Sequence, residues 1–287
     1  MKTGVIDIGS NSVRLMMSDG LKTLYKQISV TRLGENISLT GKLTATAIER
    51  SADAVLFFYN KAISEGAKNV YAFATAAVRS ASNGQDFVNR VKELTGLTVE
   101  VLSGETEGKI GLLGATNGAD GGVIDVGGAS AEIILSSGGK TIYSYSLDLG
   151  AVRLYDLCKD DKEKLKNVVK EKLPLYGIVP KGKFYGIGGT FTSLAAIDLE
   201  LEPYNPEKVH GYKLTKNSIE KLTEKLLNTS IEDRKKLKGL HPKRAEVIAG
   251  GAYLVKGIME YLDLDEITIS ESDNLEGYLL LKNKEEL

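Results

Sequence analysis

The residues best suited to chemistry stand in two turns of one type, each at the end of an apolar strand. Asp7 precedes a turn that contains Ser10 and Asn11, and Asp125 precedes a turn that begins at Gly127. Glycine lets backbone N–H groups point at phosphate oxygens, and Ser or Asn adds side-chain donors. One Asp-x-Gly turn alone is equally typical of a structural hairpin. Two copies, however, predict a cleft in which facing turns hold adjacent phosphates.

A third glycine turn and one acid on a glycine-rich helix extend this prediction. Gly186 to Thr190 form the turn, again after an apolar strand. Glu107 follows Ser103 into a predicted helix whose interior glycines each cost about 0.5–1 kcal/mol relative to Ala, so the helix should lie against another backbone or a ligand. Glu105 and Glu107 are about 200° apart around a helix, so at most one faces the cleft. A purely structural acid, favoured by the helix dipole, is the alternative for Glu107.

Arg79 closes a segment that follows a short predicted strand. A guanidinium there could clamp a phosphate through paired hydrogen bonds, although an ordinary surface arginine is the alternative. The sequence has no GxxxxGK[ST] motif, which argues against a P-loop mechanism. Cys158 is its only cysteine and it has 2 histidines, which argues against thiolate or histidine metal sites.

Residues 234–244 read RKKLKGLHPKR, a run rich in Lys and Arg that contains no acid. In one interpretation they form a solvated loop between two helices. In the other, they rim the cleft and hold the trailing phosphates of a long substrate, since exposed charges act over ~8–10 Å at moderate ionic strength. The two interpretations can be distinguished by neutralising three lysines of the run together, Lys235, Lys236 and Lys238.

Composition limits the class of protein. The 287 residues carry a net charge of −1, with 42% hydrophobic and 26% charged residues, as expected of a globular protein without general affinity for nucleic acid. No apolar run approaches the ~18 residues of a membrane span, and the start runs straight into a strand pattern without a signal peptide. We therefore expect a cytoplasmic protein with no nucleic-acid or membrane partner, and the sequence is compatible with a homodimer.

The elements that position these residues are predicted to form two similar α/β halves. In the first, strands at 13–17, 21–30, 70–74 and 98–102 join the strand that ends at Asp7, with helices at 44–66, 85–94 and 103–117. In the second, strands at 141–147, 183–187 and 267–270 join the strand that ends at Asp125, with charged helices between 148 and 175 and a long helix at 242–262. The returning Asp-x-Gly pattern indicates an internal duplication. We predict domains at 1–118 and 119–273, followed by a helix at about 274–287.

Taken together, the motifs resemble the exopolyphosphatase / guanosine pentaphosphate phosphohydrolase (Ppx/GppA) family in its short two-domain form. The resemblance rests on six segments that occur in this order: VIDIGSNSVRLMM, FATAAVR, VLSGETEGKIGLLGA, VIDVGGASAEIIL, YGIGGTFTSLA and HPKRAEVIAGGA. It implies two RNase H-like domains of the actin/Hsp70-like superfamily, with the active site in the cleft between them. It also implies that the C-terminal helix returns to the first domain.

The resemblance assigns roles to particular residues. Glu107 would activate the attacking water as the catalytic base, and Arg79, the second catalytic residue, would clamp the leaving or transferred phosphate. The phosphate-binding residues would be Ser10, Asn11, Gly127, Gly128, Ser130, Gly188, Gly189 and Thr190, and the metal ligands would be Asp7, Asp125 and Glu132. Because these acids would repel a polyanion, a divalent cation, Mg²⁺ or another, is expected as cofactor.

The sequence departs from the family pattern at four positions. Ala129 and Ala131 stand where the family usually has Gly and Thr, and Gly108 stands where Ala is common. Leu275 stands where the family usually has Arg, so the resemblance transfers no role of that Arg in shaping the cleft to this chain.

The predicted reaction is in-line attack of water on the terminal phosphoryl group of inorganic polyphosphate or guanosine pentaphosphate. A general nucleotide phosphatase, or a kinase of the same superfamily, is the alternative enzyme. The alternative outside the enzymes is a non-catalytic sensor that binds guanosine tetra- or pentaphosphate. The presence of Glu107 argues against the sensor.

Overall fold

The computed structural model describes residues 1–159 and 161–285, with side chains described up to Asn283 except at 160. The strands, in chain order, are β1 (Lys2–Ile8), β2 (Ser12–Asp19), β3 (Lys22–Val30), β4 (Asn69–Ala74), β5 (Val99–Val101), β6 (Gly121–Val126), β7 (Ala131–Ser137), β8 (Lys140–Leu147), β9 (Phe184–Ile187), β10 (Lys213–Thr215) and β11 (Glu266–Ile269).

The helices surround these strands. In chain order they are α1 (Ile37–Thr40), α2 (Ala45–Ser64), α3 (Ala76–Ser80), α4 (Gly84–Thr95), α5 (Gly104–Thr116), α6 (Ala151–Cys158), α7 (Lys162–Lys172), α8 (Gly188–Asp198), α9 (Pro206–Val209), α10 (Lys216–Asn228), α11 (Ile231–Arg234), α12 (Ile248–Tyr261) and α13 (Asn274–Glu285), with 3₁₀ turns at Leu173–Tyr176 and Pro242–Arg244. Residues 286–287 of the predicted last helix lie outside the described residues.

Two sheets of related topology form the framework of the described chain. The first has five strands in the order β3-β2-β1-β4-β5, and the second has six in the order β10-β11-β9-β6-β7-β8. In each sheet three strands form an antiparallel meander, and the next two along the sheet run parallel to its first strand. This repeated order confirms the predicted α/β fold of two RNase H-like units. The predicted division at 118/119 falls just before β6, and it stays a prediction.

The two Asp-x-Gly turns have the same backbone geometry, as a duplication requires. The Gly9 N–H donates to the Ser12 carbonyl at 3.0 Å, and the Gly127 N–H donates to the Ser130 carbonyl at 3.0 Å. Both turns join the first two strands of their sheet, and both follow a strand whose residues are almost entirely buried. The apolar runs that predict these strands therefore fix the positions of the acids at their ends.

Local signals explain where the central helices begin. The Thr44 hydroxyl accepts a hydrogen bond from the Ala47 N–H at 3.2 Å, and the Ser103 hydroxyl accepts one from the Thr106 N–H at 3.0 Å. Both residues are N-caps of the kind that satisfies free N–H groups in a first turn. The predicted helix at 242–262 begins later, at Ile248, because residues 242–244 form a separate 3₁₀ turn.

Helix α5 lies between the two sheets. It packs against β6, β7, β8 and β9 of the second sheet, and against α13 on its other side. A Cβ at Gly114 would collide with the backbone of Asp273, so the glycine permits the close approach of α5 and α13. The expectation that this glycine-rich helix lies against another backbone is met here. Helix α13 also packs against β1 of the first sheet.

Within the described residues, no helix combines the length and the apolar composition that crossing a bilayer requires.

Candidate active site

The two Asp-x-Gly turns face each other across a cleft between the sheets. A Cβ built on Gly128 would lie 2.7 Å from the Ser10 Cβ, so the glycine is needed where the turns meet. The cleft contains a cavity of about 90 Å³, which we name the inner cavity. A single water needs about 10–15 Å³ of such space, so the cavity has room for a group larger than one water, and the glycine N–H groups and hydroxyls of its wall suit an anion.

Most of the predicted site residues line the inner cavity. They are Asp7, Ser10, Asn11, Glu107, Asp125, Gly127, Gly128, Ser130, Gly188, Gly189 and Thr190. Residues from the first sheet, the second sheet and α5 therefore meet at one place. Arg79 and Glu132 are not among its lining residues, and each forms a hydrogen bond with another polar side chain.

Glu107 is buried in the first turn of α5, where its carboxylate accepts a hydrogen bond from Arg79 Nη1 at 2.9 Å. The same Arg79 nitrogen donates to the Leu102 carbonyl at 2.7 Å. Burial raises the pKa of Glu107 to about 7, against the opposing effects of Arg79 and Thr75. A carboxyl with this pKa can accept a proton near neutral pH. Glu105 instead is exposed and binds Lys109, as the angle around the helix predicts.

Arg79 contacts the catalytic candidate and does not line the inner cavity. Its guanidinium bridges Glu107 and the Leu102 carbonyl, and its side chain is 26% exposed. The arrangement suits a residue that orients the Glu107 carboxylate. Its predicted role as a phosphate clamp stays a prediction.

Asp7 is bound to Arg14, which was not among the residues predicted for the site. Arg14 Nε donates to Asp7 Oδ2 at 2.9 Å, and the Arg14 guanidinium also pairs with Asp273. Burial raises the pKa of Asp7, although Arg14 opposes it. Against the effect of burial, Arg14 and Lys26 hold the pKa of Asp273 below its ordinary value. Arg14 is therefore already neutralised by two acids.

Asp125 and Glu132 are opposite each other on β6 and β7, as Asp7 and Arg14 are on β1 and β2. Asp125 Oδ2 accepts a long hydrogen bond from Asn274 Nδ2 at 3.3 Å, and Glu132 Oε1 accepts one from a serine hydroxyl at 2.6 Å. Burial, and then nearby carboxylates, raise the pKa of both acids well above the usual values. The two strands beside the second turn thus carry two acids at these paired positions, whereas the two strands beside the first turn carry an acid and a positively charged arginine.

The residues fit a divalent cation that is held partly by the substrate. Within residues 1–159 and 161–285, no three Asp, Glu, His or Cys side chains converge closely enough to enclose a metal ion. However, Asp7 Oδ1 and Glu132 Oε2 are buried and have no hydrogen-bond partner. Mg²⁺ commonly uses one or two carboxylates together with waters and substrate phosphates. Asp7, Asp125 and Glu132 could supply such carboxylates, without forming a closed cage.

Sequence reasoning missed four residues of the site: Arg14, Arg244, Asp273 and Asn274. One signal could have revealed the first, because Arg14 follows Asp7 at the spacing at which Glu132 follows Asp125. Asp273 and Asn274 reach the site because α13 begins beside α5. Leu275, at the departure from the family pattern, is fully buried in an apolar cluster that includes Val5, Met16, Phe73 and Ile110.

A second, outer cavity of about 590 Å³ adjoins the first. The two share Arg14, Gly188, Gly189 and Arg244 as lining residues, so they are neighbours in one cleft. Lys235, Lys236 and Lys238 line the outer cavity, as one interpretation of the basic run requires.

Arg234, the first residue of the basic run, has a structural role instead. It is buried, and it donates hydrogen bonds to the Leu226 carbonyl at 2.8 Å and to the Ala245 carbonyl at 3.2 Å. Arg234 is therefore not part of the cleft rim. The run can contribute to the cleft only through its later residues.

The fold and the site together define an α/β protein of two related halves, with a small polar cleft between them. The family model of the Ppx/GppA phosphatase family matches residues 12–286. Exopolyphosphatase 2 of Mycobacterium tuberculosis is 30% identical over 97% of this chain and 98% of that protein. A bifunctional 3-dehydroquinate synthase/phosphatase of Fusobacterium nucleatum is 32% identical over 96% of this chain, which spans only 46% of that longer protein.

Solved structures agree with these sequence relationships. A Ppx/GppA family member from Aquifex aeolicus has a TM-score of 0.81 at 31% identity, over 100% of this chain and 98% of that one. An exopolyphosphatase from Cytophaga hutchinsonii has a TM-score of 0.87 at 26% identity, over 99% of this chain and 98% of that one. The chain belongs to the Ppx/GppA phosphatase family, which confirms the resemblance seen in the motifs.

Proposed function

We propose that the protein is an acid anhydride hydrolase that releases the terminal phosphate of inorganic polyphosphate. One observation carries the proposal: both Asp-x-Gly turns, the Gly188–Thr190 loop and Glu107 line one small cavity. Glycine turns supply N–H donors to phosphate oxygens, and a buried carboxyl supplies the base. The family relationship and the exopolyphosphatase relatives support the same reaction class.

In this proposal Glu107 orients a water and accepts its proton during in-line attack on the terminal phosphorus. Arg79 holds the Glu107 carboxylate toward the cavity. Ser10, Asn11 and Ser130, with the glycine N–H groups, orient the phosphoryl oxygens. A divalent cation such as Mg²⁺, once bound at Asp125, Glu132 or Asp7, would neutralise phosphate charge and polarise the P–O bonds.

Guanosine pentaphosphate is the second candidate substrate, and the outer cavity favours it. Its volume of about 590 Å³ lies within the 300–1,000 Å³ typical of small-molecule sites. Apolar residues such as Leu201, Pro203 and Leu240 form part of its wall. A nucleoside could occupy this space while its phosphate chain enters the inner cavity.

Phosphate release from a panel of compounds tests the proposal. Tripolyphosphate, long polyphosphate, guanosine pentaphosphate and ATP are compared at equal phosphate concentration, with and without Mg²⁺. Fastest release from polyphosphate supports the first candidate, and fastest release from guanosine pentaphosphate supports the second. Formation of ADP only when sugars or acids are added would indicate a kinase. Tight binding of guanosine tetraphosphate without any turnover would indicate a sensor.

The raised pKa of Glu107 predicts how activity depends on pH. The base must be ionised to accept a proton, and burial raises its pKa to about 7. Below that pH the carboxyl is protonated, so kcat/KM should fall tenfold for each further unit of acidity. The expected profile rises through pH 7 and then levels. A flat profile from pH 5 to pH 8, with the fold intact by circular dichroism, would exclude Glu107 as the base.

The basic side of the outer cavity predicts a dependence on chain length. Lys235 and Lys236 form exposed pairs with Glu232 at 2.6 Å and Asp233 at 2.8 Å, and such pairs are weak enough to yield to a polyanion. Changing Lys235, Lys236 and Lys238 together to Gln should raise KM for long polyphosphate more than KM for tripolyphosphate. The difference should shrink at high salt, because exposed charges are screened.

A matched variant controls for the loss of three charges. Lys164, Lys166 and Lys170 are exposed on α7 and line neither cavity, so changing them to Gln should leave both KM values nearly unchanged. If the cavity variant raises KM equally at every chain length, the basic run is only a solvated segment.

We also propose that the protein is cytoplasmic. Light scattering in solution would show whether it forms a homodimer.

A further inference from the structure

Strand β8 forms one edge of the second sheet, and its outer side is open. It is the last of the six strands, next to β7. An open groove of about 690 Å³ lies beside it, lined by residues 141–146 of the strand and by Glu105 and Lys109 of α5. An edge strand presents a row of unpaired backbone N–H and C=O groups, so a further strand can pair with it. The groove leaves this row accessible along most of β8.

The other three edges of the two described sheets are protected against such pairing. Strands β5 and β10 have only three residues each. Strand β3 has nine residues, and its sequence includes Lys22 and Lys26. Strand β8 has eight residues, carries neither charge nor proline over 141–147, and leaves Ile142 and Tyr145 exposed by 50% and 37%. Short strands and lysines are common means of preventing edge pairing, and β8 has neither.

The internal duplication shows which residue makes the difference. Strands β3 and β8 occupy equivalent places, because each follows a glycine-containing turn and each ladder has the same shift one residue after that turn. Their sequences begin KTLYK and KTIYS, so Ser144 stands at the position of Lys26. Lys26 pairs with Glu276 of α13 at 2.8 Å. Ser144 is exposed and leaves the middle of its edge without a charge.

Strand β8 is also complementary to a second copy of itself. In an antiparallel pair centred on Ser144, Lys140 lies opposite Asp148 of the second copy, and Tyr143 lies opposite Tyr145. Lys140 and Asp148 are exposed at the two ends of the strand. Opposite charges therefore meet at both ends and aromatic rings meet near the middle, and both kinds of cross-strand pair are stabilising.

We propose that two copies of this chain form a dimer through β8, antiparallel and centred on Ser144, so that their second sheets join into one. Pairing would satisfy the free backbone groups of the edge and would cover Ile142 and Tyr145. A single strand pair with its flanking side chains is a small interface, so the dimer should exchange with the monomer. The dimer does not depend on the proposed reaction, because β8 lines neither the inner nor the outer cavity.

Sedimentation of the whole chain over a range of concentrations tests the dimer. We expect a reversible monomer–dimer equilibrium with a Kd on the order of 10 µM, as for small transient interfaces. Ser144→Lys should raise this Kd by at least about 10-fold, because it places two like charges opposite each other at the centre. Ser64→Lys, which makes the same change at the exposed end of α2, should leave the Kd unchanged.

Charge reversal at the ends of the strand tests the register. Lys140→Glu and Asp148→Lys should each raise the Kd by about 2–5-fold, the modest effect expected of exposed ion pairs, since each variant brings like charges together twice. A mixture of the two variants should form dimers again, because every end pair then has opposite charges. Lys22→Glu, the same change at the edge of the first sheet, should have no effect.

Disulfide cross-linking under a mild oxidant measures the register directly. In Ser144→Cys each new thiol would face its own copy, at the Cα spacing of about 4.5–5.5 Å that opposite residues have and that a disulfide allows. Ile142→Cys places a thiol on the same side of β8 but about 13 Å from its copy along the strand, so it should not cross-link. Cys158 is buried and should not react.

Three results would overturn the inference: a monomer at every concentration up to about 1 mM, a dimer that Ser144→Lys leaves unchanged, or cross-linking of Ile142→Cys in preference to Ser144→Cys. A monomer whose β8 amides gain protection from hydrogen exchange only when another protein is added would also overturn it, since an extended segment of that protein would then occupy the edge. Thermal unfolding and phosphate release from tripolyphosphate show that each variant is folded. A protein that forms this dimer but releases no phosphate would contradict only the proposed function.

Discussion

Glu107→Gln should lower kcat for phosphate release by about 10²–10⁴-fold, the usual contribution of a general base. Glutamine has nearly the same shape and can still bind Arg79, but it cannot accept a proton from water. KM should change little, because the turns that hold the phosphate are untouched. Initial rates with tripolyphosphate, measured by released phosphate, give both constants.

Glu105→Gln is the matched control for this prediction. Glu105 lies on the same first turn of α5, but it is exposed and pairs with Lys109 at 2.6 Å. Its substitution removes the same charge at a short distance from the cavity, and kcat should stay within about twofold, as expected where no proton transfer is lost. If the kcat of the Glu107→Gln variant were close to that of the unaltered protein, Glu107 would not be the catalytic base.

Removal of divalent cations should abolish activity, and added Mg²⁺ should restore it. Asp7, Glu107, Asp125 and Glu132 are all buried around the cleft, and burial raises the pKa of each. Their ionised forms would repel a phosphate chain unless a cation neutralised them. Because no closed set of ligands is formed within residues 1–159 and 161–285, we expect Mg²⁺ to bind weakly without substrate and more tightly with it.

Two measurements separate this effect from loss of the fold. The melting temperature of the protein should be nearly the same with and without a chelator, since the cation would not hold the structure together. Calorimetric titration of Mg²⁺ should give a higher affinity when methylenediphosphonate is present. Full phosphate release in excess chelator would show instead that arginines and lysines alone neutralise the substrate.

The parts of the site that depend on short-range pattern were predictable from the sequence. The Asp-x-Gly turns follow apolar strands, and the end of a strand fixes where its acid lies. Helical geometry separated the two acids of α5, and the structure buries Glu107 while it exposes Glu105. Ser103 caps that helix, and serine is one of the residue types preferred at this position. Each of these features depends only on residues that lie close together in the sequence.

Other parts depend on contacts that sequence spacing does not encode. Arg14 reaches Asp273 across 259 residues because α13 returns to the first sheet. No pattern near either residue indicates this pair. Arg234 and Arg244 bound the same basic run, yet one is a buried structural residue and the other faces the cleft. The difference lies in long-range contacts, because Arg234 reaches the carbonyl of Leu226 in α10 and that of Ala245 just before α12.

One missed helix had a local signal. Helix α10 places Ile219, Leu222, Thr223 and Leu226 on its buried side, at helical spacing. The Thr215 hydroxyl accepts a hydrogen bond from the Ser218 N–H at 3.1 Å, which marks the N-terminus of the helix. This periodicity in residues 216–228 was sufficient to predict the helix.

Phosphorus NMR of long polyphosphate during the reaction tests the central claim most directly. An enzyme that removes terminal phosphates produces inorganic phosphate while the number of chain ends stays constant. We therefore expect the orthophosphate signal to grow, the internal signal to fall, and the end-group signal to remain unchanged until the chains are consumed. The same sample with the Glu107→Gln variant should show almost no change. A rising end-group signal, or no orthophosphate in the presence of Mg²⁺, would contradict the account.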